Sequence, residues 1–477
     1  MGLFAMDSVL SRVSNGRFFA VLLILLGLAG ALRFYELGNP SYWSDEMFQI
    51  RDAVGLSKPG YIETRWGMQL AGVDVASIDP EGYGKFRSSG VTEFNGRLAA
   101  ASLGTLSVVA FAFLLSPVIG RGAALATISL LTICTWHIEW SQSARFYIPM
   151  FLYYNTALLA YFIASERRSL PILLLSVVAA CLATATKPTS VMLFGVMGID
   201  GIVYWLRTRR LPLDPPGIAL LGAGVVCGVL LSLPQGSQTI GVFSARQLGE
   251  STLRVVGGNL YHVGPAVALM AAVGAWMART TATRAVILLV SAVVVPLLAF
   301  GTLANFLHVE IRYTFMNVMG WLALAGLGSH SIFNALRQAN APWPVALMPF
   351  ILVVVASSLS TLHYYEPASG NRPRWRDAYE YVEAHRSPGD HVVGLGTWAG
   401  MYYLDDGGVE PLPAHLKSPG DQGRDIWFVV KDPYEQKLSQ DAVLHEVFPN
   451  RTSYPQDTVR VYFLAAPGRE LASVDSR

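Results

Sequence analysis

Charge is what this sequence has least of. Asp, Glu, Lys and Arg make up 14% of its 477 residues, where a soluble domain carries about 25%, and 52% are hydrophobic. With a mean hydropathy of +0.41, the length resolves into a polytopic membrane protein rather than two or three soluble domains. A net charge of +2, with Lys and Arg scattered along the chain, excludes a nucleic-acid surface. Cys134, Cys181 and Cys227 each lie in an apolar stretch with no CxxC and no His companion, which excludes a disulfide framework and a zinc site. Glycine and proline follow no repeat or low-complexity tract, so collagen-like and disordered readings fall away and these residues punctuate helices. The first apolar run, Phe18 to Leu32, follows Arg12 and Arg17 and lacks a clear Ala-x-Ala-like cleavage site, so it reads as a retained first span.

What is present is a series of apolar runs. A bilayer core of about 30 Å takes roughly 17 to 25 apolar residues per helix. Eleven runs fit: 17–35, 97–119, 122–136, 147–164, 169–186, 189–206, 217–234, 263–278, 285–304, 314–334 and 343–362. If they alternate, Arg12, Arg17, Arg121, Arg167, Arg168, Arg207, Arg209, Arg210, Arg279, Arg284 and Arg337 share one side, which the positive-inside rule makes cytoplasmic. The opposite side receives loop 36–96, loop 137–146, loop 235–262 and everything after 363. After His363-Tyr364-Tyr365 the chain turns polar. Trp375, Ala378, Tyr379 and Val382 recur at helical spacing, and 391–395, 425–430 and 457–464 are β-branched or aromatic runs. The expected architecture is an α-helical polytopic module, 1–362, with about eleven spans and the outer loop 36–96. A small α/β extracytoplasmic domain, 363–477, follows; at this size it buries its own core.

Loop 36–96 is longer than ordinary connections, and such loops are functional more often than incidental. Within it, Ser44 to Ile50 reads as a helix start with Ser44 as N-cap, Asp45 and Glu46 in the first turn, Met47, Phe48 and Ile50 as apolar contacts and Gly55 as the stop. Asp45 is a general base at the membrane–water boundary, or else both carboxylates complement the helix dipole. Tyr42 and Trp43 are interfacial aromatics. In the second outer loop, Arg145 sits where a charge needs a partner or a ligand. Glu139 is one partner, and a guanidinium there also suits a phosphate bidentately. His137 has no second ligand at helical spacing and reads as a polar lining residue rather than a metal site. Lys187, between the fifth and sixth runs, and Arg312, between the ninth and tenth, are snorkelling flanks or, with Arg145, a cationic site for an anionic lipid headgroup. The triplet Asn450-Arg451-Thr452 matches a glycosylation acceptor, a pattern common by chance.

In this order the pieces resemble the GT-C superfamily of integral-membrane glycosyltransferases, in particular protein mannosyltransferases, lipid A aminoarabinose transferases and Rgt-type enzymes of the glycosyltransferase 39/83-like kind. The resemblance rests on Trp43-Ser44-Asp45-Glu46, Glu93-Phe94-Asn95-Gly96-Arg97-Leu98, Ser141-Gln142-Ser143-Ala144-Arg145-Phe146-Tyr147, Thr186-Lys187-Pro188-Thr189 and Arg312-Tyr313, and covers about residues 15–330. Two departures stand out. Ser143 occupies a place where the family often has an acidic residue, leaving Glu139 as the substitute carboxylate. Asp79-Pro80 replaces a His-Pro pair and implies a differently shaped acceptor mouth.

The resemblance implies inverting transfer of a sugar from a polyprenyl-phosphate donor to an envelope acceptor on the extracytoplasmic face of a bacterial inner membrane. The acceptor is a lipid A or core sugar, another glycan, a lipid or a protein hydroxyl. It implies Asp45 and Glu46 as catalytic residues and Arg145, Lys187, Arg312 and Tyr313 as donor-phosphate ligands. His137, Glu139, Gln142, Tyr147 and Arg97 line the substrate site. No metal or other cofactor is demanded, because arginines can neutralise a single phosphate. Two alternatives remain: a flippase or transporter of a lipid-linked sugar, although no duplicated repeat with broken helices is legible, and a non-catalytic partner of a glycan assembly machine.

Overall fold

The computed structural model describes residues 15–56, 58–80, 82–244, 251–307, 309–366, 372–395, 397–404, 408–412, 424–431, 438, 441–449 and 458–466. Arg12 and the Asn450-Arg451-Thr452 triplet lie outside them. The helices begin with α1 (Asn15–Phe34), α2 (Ser44–Gly55), α3 (Tyr61–Leu70) and the single turn α4 (Tyr83–Phe86). The apolar runs then give α5 (Glu93–Ile119), α6 (Arg121–Thr132), α7 (Thr135–Ser141), α8 (Tyr147–Arg167), α9 (Leu170–Thr186), α10 (Met192–Thr208) and α11 (Pro215–Ser244). They continue as α12 (Thr252–Val263), α13 (Pro265–Ala278), α14 (Thr283–Leu303), α15 (Val318–Gln338) and α16 (Trp343–Tyr364). The last part holds α17 (Trp375–His385), β1 (His391–Gly394), α18 (Thr397–Tyr403), β2 (Glu410–Pro411), β3 (Ile426–Lys431), β4 (Val443–Phe448) and β5 (Val459–Leu464).

The chain divides into two compact units. One takes the chain to residue 35, residues 58–60 and 100–361; the other takes 36–57, 61–99 and the chain from 362 on. This grouping differs from a division at 362, because most of the long first loop belongs with the C-terminal segment.

In the first unit, every expected span falls on a helix or a bent helix pair, but the count of eleven is not reached by length and composition. Among the described residues seven helices qualify, or nine if the bent pairs α6–α7 (60°) and α12–α13 (94°) each count once. The apolar α9 is short, at 17 residues. The last third of α15 carries His330, Asn334 and Arg337, while its first half is buried.

Close helix approach explains that burial. A Cβ on Gly274 of α13 would lie 1.9 Å from the Leu324 carbonyl oxygen of α15, and one on Gly328 would lie 2.4 Å from the Met270 carbonyl oxygen. Small residues allow backbones in a bilayer to touch in this way. Replacing Gly328 by Val is therefore expected to destabilise the bundle by about 1–3 kcal/mol or more, as overpacking does. Thermal unfolding in detergent checks this, since an unchanged midpoint would mean the helices part without cost.

The second unit contains a five-stranded sheet in the order β2-β1-β3-β5-β4. Strands β2, β1 and β3 are parallel, and β5 runs antiparallel to β3 and β4. Val393, Leu412, Ile426, Phe428 and Val430 form its core. The spacing that predicted a helix over 375–386 reports the buried face of α17, where Trp375, Ala378, Tyr379 and Val382 all point inward.

Candidate functional site

Within the second unit, the acidic helix start is built around Arg97. Its Nε donates to Glu46 Oε1 and its Nη2 to Glu46 Oε2, both at 2.8 Å. Nη1 reaches the carbonyls of Leu37 (3.0 Å) and Pro40 (2.7 Å), and Nη2 that of Ser41 (3.0 Å). All five N–H donors of the guanidinium are thereby used, and both side chains of the pair are fully buried. Fixing residues 37–41 sets the entry of α2. Trp43, in extended conformation (φ −115°, ψ 167°), holds the N-cap position expected for Ser44. Its carbonyl accepts from the N–H groups of Glu46 (3.0 Å) and Met47 (3.2 Å). The helix ends at Gly55 as expected, and Met47 and Ile50 are buried, but Phe48 is exposed.

Two roles expected from the sequence change accordingly. Glu46, anticipated as catalytic beside Asp45, falls on the helix face shared with Gln49, Ile50 and Ala53 and points inward onto Arg97. A carboxylate with both oxygens on one buried guanidinium has no access to a substrate proton. Arg97, anticipated as lining the substrate site, is likewise sealed off. Asp45, one position earlier and so about 100° round the helix, is half-buried.

Further polar contacts pin the same loop within this unit. Arg376 pairs with Glu93 and donates to the carbonyls of Asn39 and Gly38, each at 3.0 Å. Tyr403 Oη donates to Glu93 at 2.8 Å and accepts from the Tyr42 N–H at 2.8 Å. Burial, with Glu93 adding to the rise, pushes the Tyr42 and Tyr403 phenols well above their ordinary value, so both remain protonated donors.

Within the first unit, two of the expected phosphate ligands, Arg145 and Lys187, lie over aromatic rings. The Arg145 guanidinium lies 4.6 Å from the centre of the Phe146 ring, and Lys187 Nζ lies 5.1 Å from the same ring and 4.8 Å from that of Tyr313. Gly60 (φ 85°) packs its backbone against Phe146 and Thr186, where any Cβ would clash. Arg312 pairs with Glu310 and is partly exposed. The short 3₁₀ segment Ile311–Asn317 that carries Arg312 and Tyr313 is held by Asn259. Its Nδ2 donates to Thr314 Oγ1 (2.7 Å) and Asn317 Oδ1 (3.1 Å), and its Oδ1 accepts from Trp321 Nε1 (3.0 Å). Tyr147 is buried against Trp140, with ring centres 4.1 Å apart, and Glu139 is half-buried on α7.

His137 and Gln142, expected as lining residues, serve structure instead. Arg33, a fully buried charge near the end of α1, donates from Nη2 to His137 Nδ1 at 2.9 Å and to the Leu131 carbonyl at 3.1 Å. Since Arg has no acceptor, His137 presents Nδ1 as acceptor, and the proton sits on Nε2, which faces Ser107 Oγ at 3.3 Å. Gln142 Nε2 donates to the Tyr35 carbonyl at 2.7 Å, closing the end of α1. Arg33, Asn259 and Arg376 escaped the sequence reading, and Glu93 stood in a motif without a role. Only Arg33 carried a signal, as a charge at the end of an apolar run.

No family model matches the chain. No curated protein matches it either. Solved structures do. ArnT from Cupriavidus metallidurans in the apo state is similar at TM-score 0.55 and 13% identity, over 94% of this chain and 98% of that one. The same protein bound to undecaprenyl phosphate gives a TM-score of 0.53 at 13% identity, over 95% and 98%. The Archaeoglobus fulgidus oligosaccharyltransferase in complex with zinc and sulfate gives 0.50 at 13% identity, over 82% of this chain and 62% of that chain. With its apolar helices, the chain is a multi-pass membrane protein that has the fold of the GT-C glycosyltransferases.

Proposed function

We propose that the protein transfers a sugar from a polyprenyl-phosphate carrier to an acceptor hydroxyl on the extracytoplasmic face of a bacterial inner membrane. The observation that carries this reading is the cation group on Phe146 and Tyr313. Arg145 and Lys187 share the Phe146 ring, and a lipid phosphate is an anion that two neighbouring cations can hold together. The ArnT structure with undecaprenyl phosphate adds support by likeness of fold. Ser143 Oγ and Ser190 Oγ, both buried and without hydrogen-bond partners among the described residues, adjoin Arg145 and Lys187 in sequence and offer further donors.

In this reading Arg145, Lys187, Arg312 and Tyr313 hold the phosphate and stabilise the charge that grows on it as the sugar–oxygen bond breaks. The acceptor oxygen attacks the anomeric carbon, and Asp45 takes its proton as the new bond forms. One displacement with one base inverts the configuration. Glu139, half-buried, remains the lining residue in this reading, whereas Tyr147, expected to line the site, is buried against Trp140. The basic ends at Arg17, Arg121, Arg167, Arg168, Arg207, Arg209, Arg210, Arg279, Arg284 and Arg337 orient the chain with its N-terminus cytoplasmic and its C-terminal domain outside.

Lys187→Ala and Arg145→Ala are each expected to weaken undecaprenyl phosphate binding about tenfold or more, the scale of one charge-assisted hydrogen bond. Titration of the purified protein with the lipid checks this, and undiminished binding in both variants would overturn the assignment. The bent pairs α6–α7 and α12–α13 favour a second reading, a transporter of the lipid-linked sugar, because transporters use broken helices. Movement of the lipid without its cleavage would support that reading.

A further inference from the structure

Along α10, from Phe194 to Trp205, helices α8, α10 and α11 line an apolar pocket of about 510 Å³, a volume typical of sites that hold small molecules. Tyr161, Met197, Trp205 and Leu221 are among its walls, and Ile202 and Ile218, which also line it, are exposed. Gly198 and Gly222 lie in the walls as well. A Cβ on either would meet no protein atom within 4 Å, so helix packing does not require glycine there. Each glycine weakens its helix relative to alanine and leaves room in the pocket.

Basic residues follow the wall residue Trp205 in the chain. Arg207, Arg209 and Arg210 are all exposed at the end of α10. Arg209 adopts a left-handed conformation (φ 56°), with its N–H on the Trp205 carbonyl at 2.7 Å. This turn brings its guanidinium to 5.5 Å from the ring of Trp205. The acidic neighbour Asp200 is already engaged by Arg284, with Nη2 to Oδ2 at 2.8 Å, and Asp214 Oδ1 accepts from the Gly217 N–H at 3.1 Å. An apolar cavity whose wall residue Trp205 carries the Arg209 guanidinium on its ring, with Arg207 and Arg210 beside it in the chain, fits a molecule with an alkyl tail and an anionic head.

We infer that this pocket binds an anionic glycerophospholipid, one acyl chain between α10 and α11 and the phosphate on Arg207, Arg209 and Arg210. The site is separate from the proposed sugar-donor site.

Native mass spectrometry of the full chain, incubated in detergent with dioleoyl phosphatidylglycerol or dioleoyl phosphatidylcholine, tests the inference. The native chain is expected to retain one phosphatidylglycerol about tenfold more than phosphatidylcholine. The double variant Gly198→Leu/Gly222→Leu fills the pocket and is expected to lower retention of both lipids about tenfold. The variant Arg207→Ala/Arg209→Ala/Arg210→Ala changes only exposed side chains, so its folding is not at issue, and it should keep the pocket while losing the preference for phosphatidylglycerol. Equal retention of the two lipids by the native chain, or an unaltered preference in the arginine variant, would overturn the inference.

Discussion

Asp45→Asn is expected to reduce sugar transfer about 10²- to 10⁴-fold, the usual contribution of a positioned general base, while leaving the fold in place. Asn has nearly the shape of Asp, and the position is half-buried in the first turn of α2, so the substitution removes the carboxylate while keeping its shape. The helix dipole favours the ionised form of a first-turn carboxylate, which is the form a base needs. Steady-state turnover and thermal unfolding on the same preparation separate the two effects. A full rate in the variant would transfer the role of base to another group and leave Asp45 as a partner of the dipole.

Breaking the Arg97–Glu46 pair is expected to have the largest effect on stability. Both groups are fully out of water, and removing Arg97 leaves the buried Glu46 carboxylate with the more distant Arg372 guanidinium at 3.8 Å, so the loss approaches the roughly 3–5 kcal/mol of a broken buried pair. Arg97→Ala also leaves the carbonyls of Leu37, Pro40 and Ser41 without their donor, so activity should fall together with the unfolding midpoint. Arg97→Lys keeps the charge but loses the planar fork and should fall between the two. If Arg97→Ala raised the substrate KM with stability unchanged, the residue would be lining the site after all.

The membrane bundle was legible because each apolar run had to be a helix of a given length; hydropathy alone carries that information. The number of complete crossings was not, because breaks such as that at Gly264 (φ 92°) bend apolar helices without changing composition. At the candidate site, Arg145, Lys187 and Tyr313 could be named from short motifs, and the structure places them around shared rings. Glu46 and Arg97 were named separately, one as catalytic and one as lining, and the structure pairs them with each other; adjacent carboxylates look equivalent in sequence, and only the helical phase puts Glu46 inside and Asp45 at the edge. His137 went the same way, because its partner Arg33 is about a hundred residues distant in the chain. Asn259 and Arg376 had no local signal at all, since their meaning lies entirely in what the fold brings to them.

The central claim is cleavage of a lipid-linked sugar, and release of polyprenyl phosphate measures it most directly. Membranes carrying the native chain or Asp45→Asn would be given a panel of polyprenyl-phosphate sugars with a crude envelope extract as acceptor. The account predicts release from at least one sugar with the native chain and loss of most of it with the variant, which names the donor at the same time. No release from any sugar, by a protein that still binds undecaprenyl phosphate, would contradict it.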